Sequence, residues 1–149
     1  MKEFFMQEAL KEARKAFELK EIPIGAVIVR DNEIISRAHN LRESTKDPTA
    51  HAEIIAIRKA SQVLGGWRLT NCDLYVTIEP CPMCAGAIVM ARIDRLFIGS
   101  MDSKGGAVGS LFNIVDDDRL NHKAEVVYDV LRDECSSIMK EFFRSLRNK

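Results

Sequence analysis

Apolar side chains recur at Phe5, Met6, Ala9, Leu10, Ala13, Ala16 and Phe17, with charged residues between them. That three-to-four spacing predicts a helix over Glu3 to Leu19, closed off by Pro23. The period then changes. Ile24 to Val29 is a continuous apolar run, Arg30-Asp31-Asn32-Glu33 has the composition of a hairpin turn, and Ile34 to Ala38 reads as the returning strand. A polar loop from Asn40 to Pro48 precedes a second helical stretch, Thr49 to Leu64, with Asp47 or Thr49 to cap it and Gly65-Gly66 to stop it. Leu74 to Ile78 is a strand, Pro82 to Arg92 a helix led by proline, and Arg95 to Gly99 another strand. Asp102 to Ser110 is a glycine-rich loop, Asp116-Asp117-Asp118 an acidic one, and Val126 to Tyr128 a short strand. The last helix carries Leu131, Cys135, Ile138, Phe142 and Leu146 on one stripe. Strands alternating with helices after an opening hairpin predict an α/β fold, with helices on both faces of a largely parallel sheet. No repeat or linker interrupts the pattern, which makes residues 1–149 one domain.

Composition removes several function classes. With 46% hydrophobic residues the chain is not a disordered one, and no apolar run approaches the ~20 residues of a membrane span. The start, Met1-Lys2-Glu3-Phe4-Phe5, lacks the apolar stretch of a secretory signal, so a cytoplasmic protein is expected. Lys+Arg and Asp+Glu both number 22, which excludes a globally basic nucleic-acid binder. A polyanionic partner must then be met locally, and Lys140, Arg144, Arg147 and Lys149 form the candidate patch. Four cysteines are too few for a disulfide scaffold in a chain this long.

Two of those cysteines carry the chemistry. Ala50-His51-Ala52-Glu53 stands at a helix start, and Glu79-Pro80-Cys81-Pro82-Met83-Cys84 leads into another. Cys81 and Cys84, three apart at a helix N-terminus, can turn both sulfurs toward one point, where the dipole favours thiolates. Two thiolates and one imidazole make three ligands for Zn²⁺, and a catalytic site keeps the fourth position for water. His39, His122, Cys72 and Cys135 stand at no ligand-like interval, so the fourth position is left open. Glu53 is the carboxylate that could take a proton from that water. Residues two apart on a helix point ~200° away from each other, so His51 is expected at or before the first turn.

These residues resemble the zinc-dependent cytidine deaminase superfamily, and within it the bacterial tRNA-specific adenosine deaminases. The H-x-E…P-C-x-x-C pattern is that of the zinc deaminases of nucleobases. The resemblance runs through Ile22-Pro23-Ile24-Gly25-Ala26, Ala38-His39-Asn40, Asp47-Pro48-Thr49-Ala50-His51-Ala52-Glu53 and Gly66-Trp67-Arg68-Leu69. It continues through Leu74 to Ala87, Asp102-Ser103-Lys104-Gly105-Gly106-Ala107, Gly109-Ser110-Leu111, Asn121-His122 and Phe142-Phe143-Arg144. It implies a three-layer α/β/α sandwich with a mixed five-stranded sheet, and a homodimer holding one Zn²⁺ per subunit. The implied activity is conversion of adenosine to inosine at the wobble position of a tRNA anticodon stem-loop. By the same resemblance His51, Cys81 and Cys84 hold zinc, Glu53 shuttles protons and Asn40 bonds the inserted base. Asp102, Lys104, Asn121, Phe143 and Arg147 would meet the flanking nucleotides.

Other readings stay open on the residues alone. A deaminase of a free base or nucleotide shares every zinc residue. Cys81-Pro82-Met83-Cys84 after a strand also suits a thiol–disulfide oxidoreductase, and a four-ligand zinc would suit a non-catalytic RNA-binding module. Asn40 is by default a turn residue, Asp102 a loop cap and Phe143 a packing residue. Cys84 to Ala91 is apolar nearly all round, so the helix is expected to be buried on more than one side, one of which a second subunit could cover.

Overall fold

A computed structural model describes residues 1–148. Helix α1 (Lys2–Glu18) leads into the hairpin β1 (Gly25–Arg30) and β2 (Glu33–His39), then a one-turn helix α2 (Arg42–Thr45) and α3 (Ala52–Leu64). Strand β3 (Cys72–Ile78), helix α4 (Pro82–Ala91), β4 (Arg95–Ser100), a 3₁₀ turn at Ile114–Asp116, β5 (Glu125–Val127) and α5 (Arg132–Arg147) complete the order. The sheet runs β2-β1-β3-β4-β5. β1 pairs antiparallel with both β2 and β3, whereas β3, β4 and β5 are parallel, so β1 alone runs against the other four.

Side-chain alternation explains why the strands read as continuous apolar runs. Ala26, Ile28, Leu74, Val76, Leu96 and Ile98 face α3 and α4, packing on Ala52, Ala56, Ala60, Ala85 and Ile88. The intervening Val27, Val29, Tyr75 and Phe97 face the other way, onto Phe5, Met6 and Ala9 of α1 and Cys135 of α5. Both faces of the sheet are covered, giving the three-layer sandwich. Tyr75 and Phe97 stack with centroids 4.2 Å apart.

Turn chemistry follows the sequence closely. Asp31 and Asn32 adopt φ 53° and 62°, the left-handed pair that a tight hairpin requires. Gly65 ends α3 at φ 73°. Helix starts are where expectation and structure part. α3 begins at Ala52, not Thr49, and its cap is neither Asp47 nor Thr49. Asp47 instead accepts hydrogen bonds from the Thr49 N–H and hydroxyl, tying the turn before the helix. The Ala52 N–H donates to Asn40 Oδ1 at 2.9 Å, a cap supplied from twelve residues upstream. The expected loop from Asn40 to Pro48 contains α2, whose N–H groups at Glu43 and Ser44 donate to the buried Glu21 carboxylate. The ends of the α5 stripe also differ: Leu131 lies just outside the helix at φ 53°, and Leu146 is exposed, leaving Cys135, Ile138 and Phe142 as the buried residues.

Candidate active site

His51 and Cys81 are the N-caps of α3 and α4, and neither side chain caps its own helix. Both helix starts lie beyond the carboxyl ends of the strands, where open α/β sheets gather ligands. Pro82 occupies the first turn of α4 and Cys84 follows two residues further in, so the Cys81 and Cys84 sulfurs converge on the His51 ring. His51 Nδ1 is 3.6 Å from each sulfur. Zn–S bonds near 2.3 Å and Zn–N bonds near 2.0–2.1 Å, at the tetrahedral angle, put sulfur and nitrogen about 3.6 Å apart. The separation and the soft donor set therefore fit a metal ion. Among the described residues this is the only cluster of three such donors lying within 4.8 Å of one another. The other histidines are engaged elsewhere: His39 Nδ1 is 3.1 Å from Glu12, and His122 Nε2 is 2.7 Å from the Ile93 carbonyl. Cys72 and Cys135 are buried in the core, and burial pushes the Cys135 thiol up to about 12.

The sulfurs are electrostatically unlike. The Cys84 thiol and the His51 ring donate toward Cys81 and, against the opposing effect of burial, pull its pKa down to about 4. Cys84 is driven the other way by sharing its proton with Cys81 and by burial. His51 is raised by its bond to Cys81. A cation replacing the shared proton would let both sulfurs be thiolates.

Glu53 is 3% exposed and lies at the second position of α3. Because His51 precedes the helix proper, the opposed directions of a two-residue step on a regular helix do not apply, and both side chains reach one cleft. Burial pushes the Glu53 carboxyl up to about 7, opposed by its own N–H.

That cleft, about 920 Å³, takes in Asn40, His51, Glu53, Cys81, Asp102, Lys104, Phe143 and Arg147. Asn40 is buried, its Oδ1 accepts from the Ala52 N–H, and its amide N–H₂ is left to face the cleft and a ligand. Asp102 Oδ1 accepts from the Lys104 and Gly105 N–H groups, closing the loop on itself. Phe143 is 41% exposed beside the buried Phe142 and stands on the cleft wall. Asn121 is not in this cleft. It lines a separate groove with Trp67, Ala87, Met90 and Leu120. Arg42, Lys140 and Arg144 join Lys104 and Arg147 at the mouth, while Ile22, Ile24 and Met139 line the walls. Lys149 lies outside the described residues. Arg42 was the residue hidden in the sequence, because nothing in a polar loop marks the one-turn helix that presents it.

The MafB19-like deaminase family model matches residues 1–147. A tRNA-specific adenosine deaminase of Bacillus subtilis (strain 168) is 53% identical over 147 residues, covering 99% of this chain and 91% of the relative. The chain belongs to the MafB19-like deaminases, in the tRNA-specific adenosine deaminase family. A solved structure from a study of A-to-I editing by tRNA:A34 deaminases at the wobble position of transfer RNA is similar to it at TM-score 0.88 and 47% identity, covering 91% of this chain and 98% of that one. A guanine deaminase of Bacillus subtilis is similar at TM-score 0.65 and 35% identity, over 99% of this chain and 94% of the other. No helix among the described residues is long and apolar enough to cross a membrane.

Proposed function

We propose that this chain, as a single deaminase domain of residues 1–149, hydrolyses adenosine to inosine at the wobble position of a tRNA anticodon, with one Zn²⁺ held by His51, Cys81 and Cys84. The observation that carries the reading is the three-donor cluster beside a buried carboxylate, at the bottom of a cleft rimmed by Arg42, Lys104, Lys140, Arg144 and Arg147. A protein of zero net charge meets a polyanion through such a rim.

When bound, the ion supplies a water whose pKa is lowered to about 7. Glu53 takes a proton from the attacking water and delivers it to N1 of adenine as the oxygen bonds to C6. Glu53 then carries the second water proton to the exocyclic nitrogen, the C6–N bond breaks, and ammonia leaves. The sum is adenosine plus water to inosine plus ammonia. The amide nitrogen of Asn40 donates to an acceptor on the base. Phe143 offers a face on which a splayed neighbouring base can stack, and Asp102, Lys104 and Arg147 meet the flanking nucleotides. An anticodon loop presents its base unpaired, so extrusion costs little.

The groove of Trp67, Met90 and Leu120 supports a homodimer: Met90 is 71% exposed on a helix otherwise apolar. A second copy docked there would cover that face, which includes Asn121. The cytoplasm is the compartment for a tRNA substrate.

A free-base deaminase is the second reading, favoured by the 35% identity to a guanine deaminase. Incubation of the protein with unmodified tRNA carrying a wobble adenosine, scored by sequencing for inosine, separates the two. Inosine at that position and no ammonia from guanine, cytosine or deoxycytidylate is expected. Ammonia from a free base with no inosine in tRNA would overturn the proposal.

A further inference from the structure

The residue ahead of the Pro80-Cys81 turn is a carboxylate with no part in the chemistry above. Glu79 is 4% exposed, yet no Lys or Arg among the described residues pairs with it. Four donors from a single loop surround it instead. Oε1 accepts from the Asp102 N–H at 2.9 Å and the Ser110 hydroxyl at 2.5 Å. Oε2 accepts from the N–H groups of Val108 at 2.9 Å and Ser110 at 3.0 Å. Two backbone bonds sew the same strands of chain together: Glu79 N–H to Ser100 O, and Ala107 N–H to Pro80 O, both 2.8 Å. Gly106 lies so close that a Cβ there would overlap the carboxylate.

A carboxylate satisfies this arrangement and an amide does not. Each oxygen faces at least one backbone N–H, which cannot turn round, so a glutamine amide in either orientation sets its own N–H₂ against a donor. Loss of charge-assisted bonds at a buried site is costly, and the cost falls on the loop from residue 101 to 110. That loop carries Asp102 and Lys104 into the cleft.

We propose that Glu79 is a positioning residue that locks this loop in its binding conformation, so that RNA flanking the reacting base meets a preformed surface. The inference rests on the reading of the cleft as a tRNA site. A surface organised in advance spares ordering entropy on binding, so the signature lies in KM and not in the chemical step.

The test compares wild type, Glu79→Gln, the Asp102→Ala/Lys104→Ala pair and the three substitutions together, on an anticodon stem-loop RNA with a wobble adenosine. Glu79→Gln is expected to raise KM by about tenfold while kcat stays within about threefold and zinc content is unchanged. In the background lacking both loop side chains the same substitution should move KM by less than about threefold, since it acts through them. Hydrogen exchange at the Asp102, Val108 and Ser110 amides should accelerate in Glu79→Gln. A fall in kcat and zinc with KM unmoved, a fully additive triple variant, or unchanged amide exchange would each overturn the proposal. Exchange reads the clamp without turnover, so an inactive wild type would defeat the tRNA reading alone. Should Glu79→Gln fail to fold, Ser110→Ala removes one of the four donors and is expected to raise KM in the same direction by a smaller factor. No rise would count against the clamp.

Discussion

Asn40 does two things with one amide, and substitution can separate them. Its Oδ1 caps α3 through the Ala52 N–H at 2.9 Å, and its nitrogen faces the cleft. Asn40→Ala loses both. Removing an N-cap costs about 0.5–2 kcal/mol, and leaving the buried Ala52 N–H without a partner raises the figure toward about 1–3 kcal/mol. For a chain of this size each kcal/mol lowers the melting temperature by about 2–4 °C, so a drop of roughly 2–12 °C is expected. Asn40→Asp keeps an oxygen on the helix N-terminus, where a negative charge is favourable by about 0.3–1 kcal/mol, and melting should stay close to wild type. It removes the donor, however. A base acceptor left facing an oxygen costs about 1–3 kcal/mol, or roughly 5–150-fold in kcat/KM. Thermal melts and inosine formation on both variants check this. Full activity in Asn40→Asp would show that the amide nitrogen does not meet the base. Unchanged melting in Asn40→Ala would show that the cap does not hold α3.

Glu53→Ala should cut turnover by at least about 10²–10⁴-fold, the usual weight of general acid–base catalysis, while elemental analysis finds zinc still bound. Cys84→Ala should lose metal and thermal stability together, because ligation is also folding energy; a metal-free variant as stable as wild type would contradict that. Burial pushes the Glu21 carboxyl up, but the Ser44 hydroxyl and the Ser44 and Glu43 N–H groups outweigh it and hold the carboxyl below its ordinary value. Its contribution is therefore present above the unfolded pKa of about 4.3 and is lost as pH falls through the lower folded value. Urea unfolding between pH 3 and 6 should show stability falling toward acid, with a flatter slope in Glu21→Gln.

The sandwich was legible because its strands are buried on both faces and its helices have one apolar stripe, patterns set by neighbours in sequence. The three metal-cluster residues were legible for a similar reason: each sits at a helix start with its own local signature. What escaped depends on contacts between distant segments. Asn40 caps a helix twelve residues away, and Glu21 holds α2 from more than twenty residues away, so neither could be assigned from local propensity. Glu79 looks in sequence like a strand-end carboxylate, since its four donors arrive from residues 102 to 110. The resemblance sets Asn121 among the contacts to flanking nucleotides, whereas within one chain it lines the Trp67 groove.

X-ray absorption at the zinc edge of the purified protein reads the coordination shell itself. Two sulfurs near 2.3 Å, one imidazole nitrogen near 2.0–2.1 Å and one exchangeable light donor from solvent are expected. A shell filled by four protein side chains, or one without the sulfur pair, would contradict that expectation.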